Sequence, residues 1–166
     1  MMAAMKFALL ILCLALPLTA AAADSGKADG KLTINGKTRK FTHAYAVAVM
    51  TSTREMYYRV FLTDVPLTDE QIGLFPDVLN DDIVAGKVHV IRIGIDNSRK
   101  IDSVDIFDSE GQPSITTPNK LELTTFNETA IAGRLHLDKP YTDIGGTYQY
   151  DVKFSAPLRP ESDFLP

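Results

Sequence analysis

Histidines and methionines are the side chains of this sequence with the most distinctive chemistry. His43 and His89 could combine with Met50 and Met56 to hold Cu(I), because imidazole and thioether groups suit this soft ion. However, the spacings match no compact metal-binding motif, and none of the 3 histidines has another within five residues. Metal handling through these four residues is therefore kept only as an alternative function, and no resident cofactor is expected.

Tyrosines offer a different chemistry, since the chain has 6 of them and no tryptophan. A phenol ring has an apolar body and a polar tip, which suits surfaces that bind sugars or peptides. Tyr57 and Arg59 share one face of a predicted strand, opposite Met56 and Val60. We therefore take Tyr57 and Arg59, together with Tyr45, as the candidate binding residues.

The sequence contains no recognisable catalytic motif. It lacks the nucleophile elbow of α/β-hydrolases, a glycine-rich phosphate loop and the HExxH helix of metalloproteases. The 21 acidic residues would supply carboxylate pairs in any fold, so they single out no active site. We expect a binding or accessory module without enzymatic activity; a hydrolase whose acidic residues cannot be singled out remains an alternative.

The first 23 residues have the pattern of a signal peptide. Lys6 precedes the apolar run FALLILCLALPLTA, and small residues follow it, which favours cleavage after Ala22 or Ala23. The run is shorter than the roughly 20 residues that a membrane-spanning helix needs, and no second such run follows. We therefore expect export to the periplasm or beyond, without a membrane span.

Charge and cysteine usage narrow the classes of partner. The formal net charge is −4, which argues against nucleic acid and anionic membrane surfaces, because both reward a basic face. The only cysteine is Cys13, inside the apolar run, so no disulfide is available to the rest of the chain. The expected partner is a protein, a peptide or a glycan of the cell envelope.

The elements that must position these residues begin with a hairpin. Asn35-Gly36 stands between two alternating segments, which predicts a two-residue turn with positive φ at both residues. Because cross-strand partners share a face, we expect Leu32 to share its face with alternate residues of the second strand: Phe41, His43, Tyr45 and Val47. The same register leaves a smooth strip on the opposite face, formed by Ala44, Ala46 and Ala48.

Alternating segments recur along the rest of the chain. Thr68 and Gln71 have the spacing of a capping box, and the helix that they begin should be short, near residues 69–75. The most regular alternation points one set of side chains inward: Tyr148, Tyr150, Val152, Phe154 and Ala156. About eight strands joined by short turns predict an all-β fold, either an antiparallel β-sandwich or an open barrel.

Four segments taken in order, GKLTINGKTRKFTHAYAV, VFLTDVPLT, TAIAGRLHL and YQYDVKFSAPL, resemble a group of exported bacterial β-domains. The resemblance spans about residues 30–158; it implies an all-β envelope domain and no activity. We accordingly divide the chain into a signal peptide (1–23), a flexible leader (24–29), a single β-domain (30–158) and a C-terminal tail (159–166). The prolines of the tail are not expected to continue a sheet.

Overall fold

The computed structural model describes residues 25–110, 114, 118–143 and 145–164. The predicted signal peptide, residues 1–23, lies outside these ranges. Within them, no helix has the length and the apolar composition that crossing a membrane requires. Most of the structure consists of antiparallel strands, which confirms the all-β prediction.

The described residues form nine strands in one sheet: β1 (Gly26–Ile34), β2 (Lys37–Met50), β3 (Met56–Thr63), β4 (Val90–Ile95), β5 (Ile101–Phe107), β6 (Lys120–Phe126), β7 (Ala130–His136), β8 (Tyr141–Asp143) and β9 (Gly146–Pro160). The order across the sheet is β5-β4-β3-β2-β1-β9-β7-β6, and β8 pairs with β9. The sheet curls into a half-barrel with β5 and β6 at its edges. Of the two predicted architectures, the single curled sheet corresponds to the open barrel.

The larger hydrophobic cluster fills the concave interior of the half-barrel; seven of the nine strands supply its buried side chains, and β6 and β8 add partly buried ones. The predicted inward set of β9 is confirmed, because all five residues are at most 5% exposed: Tyr148, Tyr150, Val152, Phe154 and Ala156. The Tyr150 hydroxyl donates a hydrogen bond to Asn119 Oδ1, and burial raises the pKa of this phenol. The interior of the half-barrel is thus a packed core along most of its length.

A second cluster lies on the convex side, under the two short helices α1 (Asp69–Gly73) and α2 (Asn80–Val84) and the 3-10 helix Asp77–Leu79 between them. The predicted capping box at the start of α1 is confirmed. The Gln71 amide N–H donates to Thr68 Oγ1 at 3.2 Å, and the Thr68 amide N–H donates to Gln71 Oε1 at 2.9 Å. Ile72 and Ile83 then bury their side chains against the outer side of the sheet.

The hairpin is confirmed, but the faces of its second strand differ from the prediction. Asn35 and Gly36 have φ of 49° and 82°, and Ile34 pairs with Lys37. Beyond Phe41, the pairing of β1 with β2 shifts by one residue, between Lys27 and Gly30. Such an irregularity re-aims the side chains that follow it. Consequently Ala44 and Ala46 join Leu32 and Phe41 in the interior. The larger residues Tyr45 and Val47 point to the convex cluster instead.

Both ends of the described chain extend the sheet. β1 begins at Gly26, within the segment predicted as a flexible leader, because Lys27–Asp29 pair with β9. A Cβ on Gly30 would lie 2.2 Å from the Asp151 carbonyl oxygen, so this close approach of β1 to β9 needs a glycine. β9 continues through the proline-containing tail as far as Pro160, where Leu158 and its neighbours run parallel to the end of β2.

Candidate functional site

One end of the half-barrel interior is open, and we call it the mouth. β2 brings Ala48 to this end, β3 brings Met56 and Tyr58, and β9 brings Leu158. The β4–β5 turn and the β6–β7 turn complete the rim. These elements surround a cavity of about 390 Å³, which is open to solvent.

The walls of the mouth combine a small side chain with aromatic ones. Ala48 follows Ala44 and Ala46 along β2, so this strand adds no bulk to the cavity. The rings of Tyr58 and Phe126 meet edge to face, with centroids 4.8 Å apart and planes at 77°. Ligand pockets of roughly 300–1,000 Å³ are typically lined by apolar walls with a few polar groups. The mouth therefore has the size and the lining to accept an apolar group.

Arg99 lies at the rim of the mouth. Its guanidinium is 5.0 Å from the centroid of the Phe126 ring, within the range of a cation–π contact. The turn that presents it is held by Asp96 Oδ1, which accepts from the Lys100 amide at 2.9 Å and from Ser98 Oγ at 2.7 Å. These hydrogen bonds lower the pKa of Asp96, so the turn keeps its carboxylate at neutral pH. Arg99 forms no ion pair with a residue in the described ranges.

The other charged groups of the rim differ in whether they already have an ion-pair partner. Arg159 is occupied, because its guanidinium is 2.8 Å from Asp69 Oδ1 and 3.4 Å from Asp163 Oδ2. Glu128 is exposed and, like Arg99, has no ion-pair partner in the part of the chain that the structure describes. The rim therefore presents one cation and one anion that can pair with a ligand.

The opposite end of the interior, which we call the polar end, is filled by Arg39, Asp64, His89 and Asp108. His89 Nδ1 lies 2.6 Å from Asp64 Oδ2, and Arg39 Nε donates to His89 Nε2 at 2.9 Å. Asp108 Oδ2 lies 3.4 Å from the same Nε2 atom, and the side chains of His89 and Asp108 are only 5% and 6% exposed. Arg39 and Ala48 are nine residues apart on β2, so roughly 30 Å separates the two ends at about 3.3 Å per residue.

A second set of contacts ties the hairpin to the polar end. Glu110 accepts hydrogen bonds from Lys37 Nζ and from Asn35 Nδ2, and its own amide N–H donates to Asp108 Oδ1 at 3.0 Å. The hydrogen bond from Lys37, followed by that from Asn35, lowers the pKa of Glu110. The β1–β2 hairpin is thereby held against the segment that follows β5.

The three predicted binding residues do not come together. Tyr57 and Arg59 line a surface recess of about 330 Å³ on the convex side, where Gly94 leaves room for the Tyr57 hydroxyl. That hydroxyl donates to Asp102 Oδ2 at 3.1 Å, and burial is the main cause of its raised pKa. Tyr45 is instead 1% exposed in the convex cluster, and its hydroxyl accepts the Leu67 amide N–H at 2.8 Å. A binding role for Tyr57 and Arg59 stays a prediction.

The four residues of the copper alternative are also separated. Met50 and Met56 face each other across β2 and β3 near the mouth, whereas His43 and His89 lie toward the polar end. Seven residues of β2 between His43 and Met50 correspond to roughly 23 Å, far beyond the reach of one ion. Within the described residues, no group of three or more His, Cys, Asp or Glu side chains could hold a metal.

Sequence reasoning missed the residues of the mouth, above all Tyr58, Arg99, Phe126 and Leu158. They come from four separate elements, and only the curl of the sheet brings them together. The alternation of EMYYRVFLTD did place Tyr58 on the same side as Val60, but it gave no sign that this side opens at one end. The polar end was equally hidden, because Arg39, Asp64 and His89 are far apart in the sequence.

Comparisons with known proteins give no match among family models, curated proteins or solved structures. The resemblance to exported bacterial β-domains therefore stays a prediction.

Proposed function

We propose that this protein is an exported binding module of the bacterial cell envelope, whose mouth holds an apolar side chain of a peptide. The observation that carries the proposal is the cavity of about 390 Å³ at the mouth, bounded by Met56, Tyr58 and Phe126. Ligand sites often lie in the open ends of β-barrels, where the strands provide rigid walls and the turns provide the polar groups. The signal-peptide pattern of residues 1–23 supports the cellular location.

The lining of the mouth favours a peptide over a glycan. Tyr58 and Phe126 contact each other edge to face, so their ring faces do not form one flat platform. The Asn127 side-chain oxygen accepts from the Thr129 amide and hydroxyl, and from the Ala130 amide, and is therefore occupied within its turn. Two of the remaining polar groups at the rim are the charges of Arg99 and Glu128, which suit ionised side chains of a peptide better than uncharged sugar hydroxyls, and an apolar side chain needs only the walls.

Arg99 favours peptides that have an acidic residue next to the apolar side chain held in the mouth. Because this cation lies over Phe126 without a carboxylate partner among the described residues, an acidic group next to the anchor would pair with it. Exposed ion pairs contribute about 0.2–1 kcal/mol, so the preference amounts to roughly 1.4- to fivefold in affinity. Glu128, farther along the rim turn, would favour a basic group elsewhere on the peptide.

Titration with two model peptides tests the proposal. Acetyl-Glu-Phe-amide and acetyl-Gln-Phe-amide are added to ¹⁵N-labelled protein, and amide chemical shifts report the site and the affinity. We expect both peptides to shift residues of the mouth, with the Glu peptide binding roughly 1.4- to fivefold more tightly. In Arg99→Gln that difference should vanish. Arg54→Gln is the matched control, because Arg54 is also an exposed turn residue with positive φ, yet it does not line the mouth.

Filling the cavity tests the site itself. Ala48→Leu places three extra carbons in the mouth and should weaken both peptides by about tenfold or more, the equivalent of roughly 1.4 kcal/mol. Ala132→Leu is the control: it adds the same group at a half-buried position of β7 outside both hydrophobic clusters. Equal affinities for these two variants would exclude the mouth as the binding site.

A further inference from the structure

The half-barrel is an open sheet, so each of its two edge strands has one side without a neighbouring strand. β5 is partly covered on that side, because Asp105 forms an antiparallel bridge with Ser114 of the segment that follows it. β6 pairs only with β7 among the described residues. Its apolar side chains are half-buried against the interior cluster: Leu121, Leu123 and Phe126. β6 is therefore the edge at which the interior core is least completely covered.

The backbone of Phe126 presents two hydrogen-bonding groups to this open side. The Asn127 amide N–H points toward β7, because it donates to the Ala130 carbonyl oxygen at 3.1 Å. The peptide bond between Phe126 and Asn127 is planar and trans, so the Phe126 C=O points the opposite way, away from β7. In an extended strand, the N–H and the C=O of one residue point to the same side. Phe126 therefore directs both groups outward, where no strand of the described ranges pairs with them.

These two groups lie next to the mouth, because the Phe126 ring is part of its wall. A residue that pairs directly with Phe126 in an antiparallel ladder would exchange both hydrogen bonds with it and project its side chain on the same face of the sheet. That side chain would enter the mouth beside the ring. The residue before it would lie past the end of β6, opposite Asn127, at the rim that also carries Arg99.

Given the proposed function, on which this inference rests, we propose that the bound peptide adds a short antiparallel strand to β6, with its apolar residue paired to Phe126. Strand addition of this kind takes affinity from main-chain hydrogen bonds and specificity from pockets for the side chains. The mouth provides the pocket, and the outward N–H and C=O of Phe126 provide the main-chain groups. The conformation, the direction and the register of the peptide backbone are thereby assigned.

The rest of β6 favours a short addition over a long one. An irregularity in the pairing of β6 with β7 lies between Leu123 and Thr125, and it interrupts the regular ladder just before Phe126. Farther from the mouth, Lys120 and Glu122 are exposed charges, which commonly protect a strand edge from pairing with other chains. A peptide of a few residues fits this edge, whereas a full strand of a second copy would meet both the irregularity and the charges.

Two isomeric peptides test the pairing, because they differ only in the position of one N-methyl group. In acetyl-Glu-(N-methyl)Phe-amide, the methyl group replaces the N–H that would donate to the Phe126 carbonyl oxygen. In acetyl-(N-methyl)Glu-Phe-amide, it replaces the preceding N–H, which would point away from β6. Both are titrated into ¹⁵N-labelled protein alongside acetyl-Glu-Phe-amide. We expect the first to bind about tenfold more weakly than the unmethylated peptide, and the second to bind within about twofold of it.

Hydrogen exchange of the Phe126 amide gives a second measurement. Saturation with acetyl-Glu-Phe-amide should slow this exchange about tenfold, and the Glu128 amide in the adjacent turn should keep its rate. Equal affinities for the two isomers, or an unprotected Phe126 amide while the mouth is occupied, would overturn the strand pairing and leave the mouth as the binding site. If none of the three peptides shifted the mouth, both the strand pairing and the proposed function would be wrong.

Discussion

The two ends of the half-barrel are built from the same strands but are completed in opposite ways. At the polar end, hydrogen bonds join Arg39, His89 and Asp64, and Asp108 Oδ2 lies 3.4 Å from His89 Nε2. At the mouth, the same strands present Ala48 and Tyr58 to a cavity that is open to solvent. The comparison indicates that charged groups close one end, so that the other can remain open without exposing the whole core.

The largest expected effect concerns the polar end. In Asp64→Ala, His89 would lose two hydrogen bonds, and Arg39 would keep its charge beside a less satisfied ring. Breaking a buried charged cluster at one partner typically costs about 3 kcal/mol, and we expect a loss of that order in the free energy of unfolding. Urea denaturation measures it, with Asp29→Ala on the exposed side of β1 as control. A loss as small as that of the control would mean that the cluster does not close this end.

Two neighbouring alanines of β2 separate the filled interior from the open mouth. Ala46 is 1% exposed within the interior cluster, so Ala46→Leu should overpack it and cost about 1–3 kcal/mol. Ala48 lines the cavity, and Ala48→Leu should therefore change the free energy of unfolding by less than about 0.5 kcal/mol. The two variants are compared by urea denaturation. Similar losses in both would show that the mouth is as closely packed as the core.

The polar end should also give the fold a pH dependence through Glu110. Its pKa is lower in the folded chain than the ordinary value of about 4.3, because Lys37 and Asn35 bind the carboxylate. Its contribution is therefore complete above the unfolded pKa and is lost as the pH falls through the folded pKa. Glu110→Gln should lower the Tm at about pH 7, and the difference from the parent chain should shrink as the pH falls through the folded pKa. Glu55→Gln, an exposed turn substitution, serves as control, and a Tm difference that persists in acid would contradict this account.

The smallest expected effect on stability concerns the rim of the mouth. Arg99 is exposed and unpaired among the described residues, so Arg99→Gln should leave the free energy of unfolding within roughly 0.5 kcal/mol of the parent chain. Arg54→Gln should be equally stable, so a difference between the two variants in peptide binding would report on function and not on folding. Thermal and urea unfolding of both variants check this. A marked loss for Arg99→Gln alone would indicate that its contact with Phe126 holds the mouth together.

Local patterns in the sequence predicted local structure well. The turn at Asn35-Gly36 requires positive φ at two residues, and the capping box at Thr68 depends on contacts within four residues, so neither depends on the rest of the fold. The inward set of β9 followed from a strict period of two. By contrast, the face of Tyr45 was predicted wrongly. One irregular step in the pairing of β1 and β2 reverses every later side chain, and no residue type in this stretch marks where that step occurs.

The candidate sites depend on contacts between residues that are far apart in the sequence. Arg99 meets Phe126 across the gap between the two edge strands, and His89 meets Arg39 from a strand two places away in the sheet. Neither pair has a spacing that a motif could reveal, because the curl of the sheet sets these distances. The sequence did identify Tyr57 and Arg59 as neighbours, since they share one strand, and the structure places both at one recess.

Location of the bound peptide is the most direct test of the central claim that the mouth is the binding site. Intermolecular NOEs are measured between the phenyl protons of acetyl-Glu-Phe-amide and the side chains of the protein. We predict contacts with the Met56 methyl group and with the rings of Tyr58 and Phe126. Contacts confined to Tyr57 and the neighbouring recess at Arg59, with none at the mouth, would contradict the account.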